Sequence, residues 1–330
     1  MDSFGACSVI ITNNNSSKRL EKAIRSVLDQ SVPPIDIVVV DDFSSADAWT
    51  SSQECVESLG DPRIKLIRRG SSRGQINAIF DGLEVCRGDF ISFLDPNDLY
   101  EPDFVETLLR AHLNPLRIAA VATCEMGRYN VAGGVLSRTF TGFRQKALAD
   151  KKLEEMEAHQ RKYGFSRFFN PWEVGWPWSS TSGLMIRKDA MRMIRPEGLA
   201  DDFLHSVDVY CAHGAHMIGG TLFVDQLLSW KGVDDENSAH RPLSFSSRHA
   251  RPESSLADDA ENVKDAVLHA LLRNGISKYL KVQQVGEVVT TQYSRDRLSV
   301  LCADSPAVSD LMMRFGANLD WSKDSAVDGI

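Results

Sequence analysis

The chain has 330 residues, 43% of them hydrophobic, enough to bury a large core in one domain or two and too apolar for disorder throughout. Its formal net charge of −8 argues against a nucleic-acid binder working through a broad basic face, so an anionic substrate must be met locally. Six scattered cysteines signal neither a zinc site nor a disulfide framework, the N-terminal stretch lacks a basic-then-apolar leader, and no apolar run reaches about 18 residues. These features predict a cytoplasmic protein without a transmembrane segment, with peripheral contact at the inner face of a membrane and homo-oligomer formation left open.

The β-branched run Cys7–Ile11 predicts a strand, stopped by the polar loop Thr12 to Ser17 with its several helix-capping residues. Leu20, Ala23, Ile24, Val27 and Leu28 recur at three- and four-residue spacing and predict an amphipathic helix that Pro33-Pro34 ends. Ile35–Val40 is a second buried strand running into Asp41-Asp42. A helix over Trp49–Leu59 stops at Gly60-Asp61-Pro62, and Ile64–Ile67 is a short third strand. After the loop Arg69–Gly74, a helix through Ile76, Ile79, Phe80 and Leu83 leads to Phe90–Leu94, an apolar run expected of a central strand buried on both faces. That strand ends in Asp95-Pro96-Asn97-Asp98. Pro102–Leu113 reads as a helix and Ile118–Cys124 as another strand. Strands alternating with helices at this spacing predict βαβ units and a mostly parallel α/β sheet.

From Phe140 the character changes. A charged segment, Gln145–Lys162, precedes an aromatic stretch carrying Trp172, Trp176 and Trp178, which suits either a satellite core or a flat apolar platform for a sugar ring or lipid. Ser182–Ile186 reads as a strand and Asp189–Ile194 and Asp208–His216 as short helices, followed by the apolar run Leu222–Val224. Residues 241–262, rich in Pro, Ser, Arg and Asp, read as a linker. Beyond it Val263–Leu272 and Ser305–Phe315 read as helical and Val285–Tyr293 as extended.

Oxygen ligands crowded around Pro96 suit a hard divalent cation, and such a cation suits a diphosphate; a solvated turn with Asn97 or Asp98 capping the next helix is the plain alternative. The blocks CSVIITNNNSSKRLEKAIRSVLDQ, IDIVVVDDFSSAD, RGQINAIFDGLEVCRGDFISFLDPNDLYEPDFVETLL and TSGLMIRKDAM, in this order, resemble a family-2 glycosyltransferase. The match is continuous over roughly the first 125 residues and returns in Thr181–Ser238. What the resemblance implies is a GT-A type, Rossmann-like, mostly parallel sheet flanked by helices over residues 1–240. Residues 1–125 would form the nucleotide-sugar half and 126–240 the acceptor half, with an aromatic insert at 140–178. A mainly helical C-terminal segment, 263–330, is appended. It further implies inverting transfer of a sugar from a nucleotide-sugar donor to a glycan or lipid-linked glycan acceptor, in glycan or polysaccharide assembly, assisted by Mn²⁺ or Mg²⁺.

Carried over by position, Thr12, Asn13, Asn15, Asp41, Asp42, Arg73, Gly74, Asp95 and Lys231 fall on the donor side. Asp42 would touch the nucleoside, for which an Asx-turn into Ser44-Ser45 is the alternative. Asp95, Asn97 and Asp98 occupy the metal motif, where Asn97 replaces the carboxylate that normally ligates the ion. Ile79 and Phe80 replace an expected Arg-Asn pair, for which either Arg73 stands in or the donor is held differently. Asp208 is placed as the general base that inversion requires, with Asp202 the alternative. Trp172, Trp176, Trp178 and Gly183 fall on the acceptor side. Asn97, Ile79 and Phe80 keep a second reading open, a catalytically weak module that binds a sugar nucleotide or glycan without turnover. A nucleotidyltransferase or dehydrogenase would need a glycine-rich phosphate loop after the first strand, and Thr12–Ser17 contains no glycine.

Overall fold

The structure is a computed structural model, and it describes residues 5–138, 167–171, 178–196, 209–233, 264–274, 276, 285–286, 288–290 and 293–315. Its first half alternates as the sequence predicts: β1 (Cys7–Asn13), α1 (Ser17–Leu28), β2 (Asp36–Asp41), α2 (Ala46–Leu59), β3 (Ile64–Arg68), α3 (Gly74–Val85), β4 (Phe90–Leu94), β5 (Leu99–Tyr100) and α4 (Phe104–His112). α1 buries the stripe Leu20, Ala23, Ile24 and Val27. α2 starts at Ser45, whose hydroxyl accepts from Ala48 N, and ends at Gly60 in the left-handed conformation, so both ends are satisfied by residues adjacent in sequence.

The second half adds β6 (Val121–Asn130), β7 (Val135–Ser137), β8 (Arg167–Phe169), a 3₁₀ turn (Thr181–Gly183), β9 (Leu184–Arg187), a helix (Lys188–Met193), a π turn (Val209–His213), a further helix (Gly214–Gly219) and β10 (Thr221–Val233). The main sheet runs β3-β2-β1-β4-β9-β6-β10-β5, with β7 on β6 and β8 on β10. β3, β2, β1 and β4 are mutually parallel, as is the pair β6 and β10, while β9 lies antiparallel between β4 and β6. The sheet is therefore mixed, parallel in its N-terminal half and irregular beyond it. β10 reaches well past the apolar run Leu222–Val224, with register shifts on either side of Leu227, and carries Trp230, Lys231 and Gly232 along β6 to the turn 95–98 that follows β4.

Alternate residues of the central strands face opposite ways and build two cores. Ile10, Val38, Val40, Ile91 and Phe93 face α3 and the helical C-terminal half, whereas Val9, Ile11, Ile37, Val39, Phe90 and Leu94 face α1 and α4. The first core also takes in Val267, Leu268 and Leu271 from the helix at 264–273, and Val308, Leu311 and Met312 from the helix Pro306–Phe315. These C-terminal helices share one apolar core with Met191, Tyr210 and Met217 of the sheet domain. Residues 285–286 and 288–290, expected to be extended, are helical; Val285, Val288 and Val289 all bury against that core, at a spacing that one helical face supplies.

Candidate functional site

The chain crosses from one side of the sheet to the other between β1, which leads to β2, and β4, which lies on β1's opposite edge; the crevice beyond their C-terminal ends is where open α/β sheets bind ligands. Thr12 and Asp95 end these two strands, and Gln75, in the first turn of α3, bridges them: its Nε2 donates to Thr12 Oγ1 at 3.0 Å and to Asp95 Oδ1 at 2.6 Å. The Asp95 N–H in turn donates to Ser182 Oγ at 3.0 Å. The other oxygen, Asp95 Oδ2, lies 3.9 Å from Lys231 Nζ, which also donates to Ser180 Oγ at 3.1 Å. Both side chains of this pair are partly open, Lys231 at 32% and Asp95 at 20%.

Beside them, the turn Asp95–Asp98 is locked onto β10. Asp98 is fully buried, accepting from Ser182 Oγ at 2.7 Å and from Gly232 N at 2.9 Å. Burial pushes its carboxyl up to about 6, with the Lys231 charge opposing that rise and the Asp95 charge adding to it. Asn97 Nδ2 donates to Gly232 O at 2.7 Å, and Tyr129 Oη donates to Asn97 O at 2.8 Å. Gly232 permits this approach because a Cβ there would meet Asn97 O at 2.1 Å.

The acids after β2 are engaged differently. Asp41 accepts from Ser44 N at 2.9 Å, Ser44 Oγ at 2.5 Å and Asn13 Nδ2 at 3.2 Å. Asp42 accepts from Arg69 Nη1 at 2.5 Å, Ser72 Oγ at 2.9 Å, Gly74 N at 2.9 Å and Arg73 N at 3.1 Å. The Asp42–Arg69 pair is buried on both sides, 8% exposed each, and Arg69 continues to Asp81 at 2.7 Å. Four donors meet the four acceptor positions of one carboxylate, so Asp42 fastens the loop 69–74 to the end of β2. Arg73 reaches Asp42 through its backbone while its residue is exposed. Asn15, at φ 55°, receives Ser45 N on its Oδ1 and donates its own N–H to Ser44 Oγ, both at 2.9 Å.

Comparison with known proteins gives this geometry its family. The family model described as Glycosyl transferase family 2 matches residues 8–189, more than half of the chain. The chain belongs to that family. It is 31% identical over 116 residues to chondroitin synthase of Escherichia coli, covering 35% of this chain and 16% of that protein. It is 29% identical over 93 residues to the E. coli UDP-Glc:alpha-D-GlcNAc-diphosphoundecaprenol beta-1,3-glucosyltransferase WfaP, covering 28% and 36%. The matches thus span little more than a third of the second relative and less of the first. The crystal structure of S. aureus TarS 1-349 in complex with UDP superposes with a TM-score of 0.51 over 95% of this chain and 89% of that one, at 13% identity, a likeness of fold of the GT-A type.

Members of glycosyl transferase family 2 generally use a divalent cation. The described residues here do not fit one. Asp98 is closed on both oxygens, the Asn97 amide is tied to Gly232 and brings no charge, and Asp95 alone offers a partly open carboxylate, next to an ammonium. Among the described residues no group of three or more His, Cys, Asp or Glu side chains is placed to hold a metal.

Two positions expected on the acceptor side are interior. Trp178 is 3% exposed, donates from Nε1 to Thr221 Oγ1 at 3.0 Å and packs edge-on against His213 and His216, so it is a core ring and no platform. Gly183 is buried, and a Cβ there would meet Ser179 Oγ at 1.9 Å; its lack of a side chain serves packing. Trp172, Trp176, Asp202 and Asp208 lie outside the described residues. Sequence reasoning missed Gln75, Ser180, Ser182 and Arg69, whose roles come from partners far along the chain. It also missed Phe43, a residue 52% exposed that holds φ at 61°; the Arg68 guanidinium lies 5.8 Å from the Phe43 ring and 5.0 Å from that of Trp49.

Proposed function

We propose that this chain transfers a sugar, with inversion, from a nucleoside-diphosphate sugar to a hydroxyl of a glycan acceptor. The observation that carries the reading is the Asp95–Lys231 pair at the switch point of a sheet belonging to glycosyl transferase family 2, with Thr12 and Gln75 on the same crevice. In the step itself the acceptor oxygen attacks the anomeric carbon, its proton passes to a carboxylate, and the bond from that carbon to the diphosphate breaks with its electrons leaving on the nucleotide. We assign the proton to Asp208. A cation beside the departing oxygen stabilises the charge that develops there, which is the role we give Lys231. Asp95 orients that ammonium. UDP bound in the TarS structure supports a uridine nucleotide as donor, and the name of WfaP supports a lipid-linked acceptor. No helix of the described residues is long and apolar enough to cross a membrane.

The test is a thermal-shift panel of nucleoside diphosphates and sugar nucleotides, followed by transfer and donor-hydrolysis assays. A ligand at 100 times its Kd stabilises by about 2.7 kcal/mol, an easily measured shift. Asp208→Asn, nearly isosteric, should keep nucleotide binding and cut turnover by roughly 10²–10⁴-fold, the range for loss of a general base. Absence of any nucleotide response sinks the proposal. Binding without transfer or hydrolysis would favour the non-catalytic binding module, the reading to which the uncharged Asn97 points.

A further inference from the structure

We infer that the donor's diphosphate binds this chain without a divalent cation, its charge met by the Lys231 ammonium, and that Asn97 and Asp98 serve to hold that lysine in place. The inference rests on the donor reading above and deepens it.

Three observations converge. Each oxygen of Asp98 accepts a hydrogen bond, from Ser182 Oγ and Gly232 N, and the residue is fully buried, so its carboxylate presents no exposed face to the crevice for an ion. The Asn97 amide is turned to Gly232 O, so the neutral side chain in the middle of the cluster is an anchor for β10. What these two residues clamp, from both its N–H and its carbonyl, is Gly232, the neighbour of Lys231. The strand is thereby fixed where it delivers Lys231 Nζ between Ser180 Oγ at 3.1 Å and Asp95 Oδ2 at 3.9 Å.

The charge arithmetic points the same way. A hard dication wants several oxygen ligands, usually with at least one carboxylate to itself besides the phosphates. Here the single partly open carboxylate already faces a cation, and a dication bound at its outer oxygen would sit against the ammonium. A diphosphate meets the opposite situation: a partly exposed ammonium, preorganised by a buried clamp, is a point-charge phosphate binder. The clamp also explains why a neutral Asn is tolerated at position 97. An anchor needs an N–H donor for the Gly232 carbonyl, which a carboxylate lacks.

Isothermal titration of the full chain with UDP, in excess Mn²⁺ and separately in EDTA, tests this. The two Kd values should agree within about threefold, less than 1 kcal/mol. Lys231→Met should weaken binding by about tenfold or more in both buffers, and Lys231→Arg should restore most of it, which a merely structural role for the lysine would not require. Tightening of wild-type binding by Mn²⁺ beyond threefold overturns the inference and leaves the donor reading standing. Wild-type affinity in Lys231→Met overturns it equally. Failure of UDP, ADP, GDP and CDP to bind in either buffer overturns the donor reading and this inference with it.

Discussion

The acids after β2 and the acids after β4 follow equivalent strands in the same sheet, yet the structure uses them in opposite ways. Asp41 and Asp42 are enclosed by donors from their own loop and from residues 69–74, with a buried arginine as counter-charge. After β4 only Asp98 is enclosed, and Asp95 keeps a partly open oxygen 3.9 Å from Lys231. A carboxylate at a strand end is thus a loop fastener or a crevice group according to how many donors its surroundings bring, a quantity its own sequence context does not contain.

The contrast breaks most visibly at Asp42. Asp42→Asn leaves Arg69 without its buried partner, and removal of one member of such a pair costs on the order of 3 kcal/mol or more; urea unfolding should show the loss. Retention of Asp81 as a second partner for Arg69 sets the lower end of that range. Next comes Gly232→Ala, whose added methyl meets a backbone oxygen and forces β10 away from the turn; overpacking of this kind costs about 1–3 kcal/mol. Calorimetry should find a lower Tm, and UDP titration a loss of affinity, since Lys231 moves with the strand. Asp95→Asn, by contrast, should change stability by no more than about 1 kcal/mol, because its ion pair is long and partly solvated, while turnover falls. A stability loss at Asp95 equal to that at Asp42 would erase the distinction between the two clusters.

A separate effect is in the pH dependence of stability. Burial pushes His112 and His213 down to about 3, so the unfolded chain binds protons that the fold refuses. Their contribution is full above the ordinary histidine value near 6.5 and is lost as pH falls toward 3. Asp98 acts with the opposite sign: raised to about 6, it favours the fold below its ordinary value and that contribution disappears as pH rises through 6. Two histidines against one carboxylate give net acid destabilisation between pH 6.5 and 4. His112→Gln, with the Nε2 bond to Met185 O replaced by an amide, should flatten that slope in denaturant melts run across the range.

The sequence by itself determined the N-terminal half of the sheet. Buried runs such as Ile37–Val40 and Phe90–Leu94, the stripe on α1 and the stop at Gly60 act over a few residues, so they are legible one segment at a time, although α1 ends at Leu28, before Pro33-Pro34. Position in the chain also marked Asp95 and Lys231 as crevice residues, through the resemblance to a family the chain does belong to. Tertiary structure decided what each polar group does. Arg69 and Gly74 close on Asp42 from 27 and 32 residues away, and Ser182 and Gly232 close on Asp98 from 84 and 134. Trp178, for which its sequence context suited either a satellite core or a platform, lies inside, where Thr221 offers its ring N–H a partner. Residues 285–286 and 288–290, read as extended, are helical and took their conformation from the core they bury against. Local pattern fixes strands and helices because their hydrogen bonds and apolar faces are short-range; a carboxylate's or an indole's partners are set by the sheet order β1-β4-β9-β6-β10, which exists only once the chain has folded.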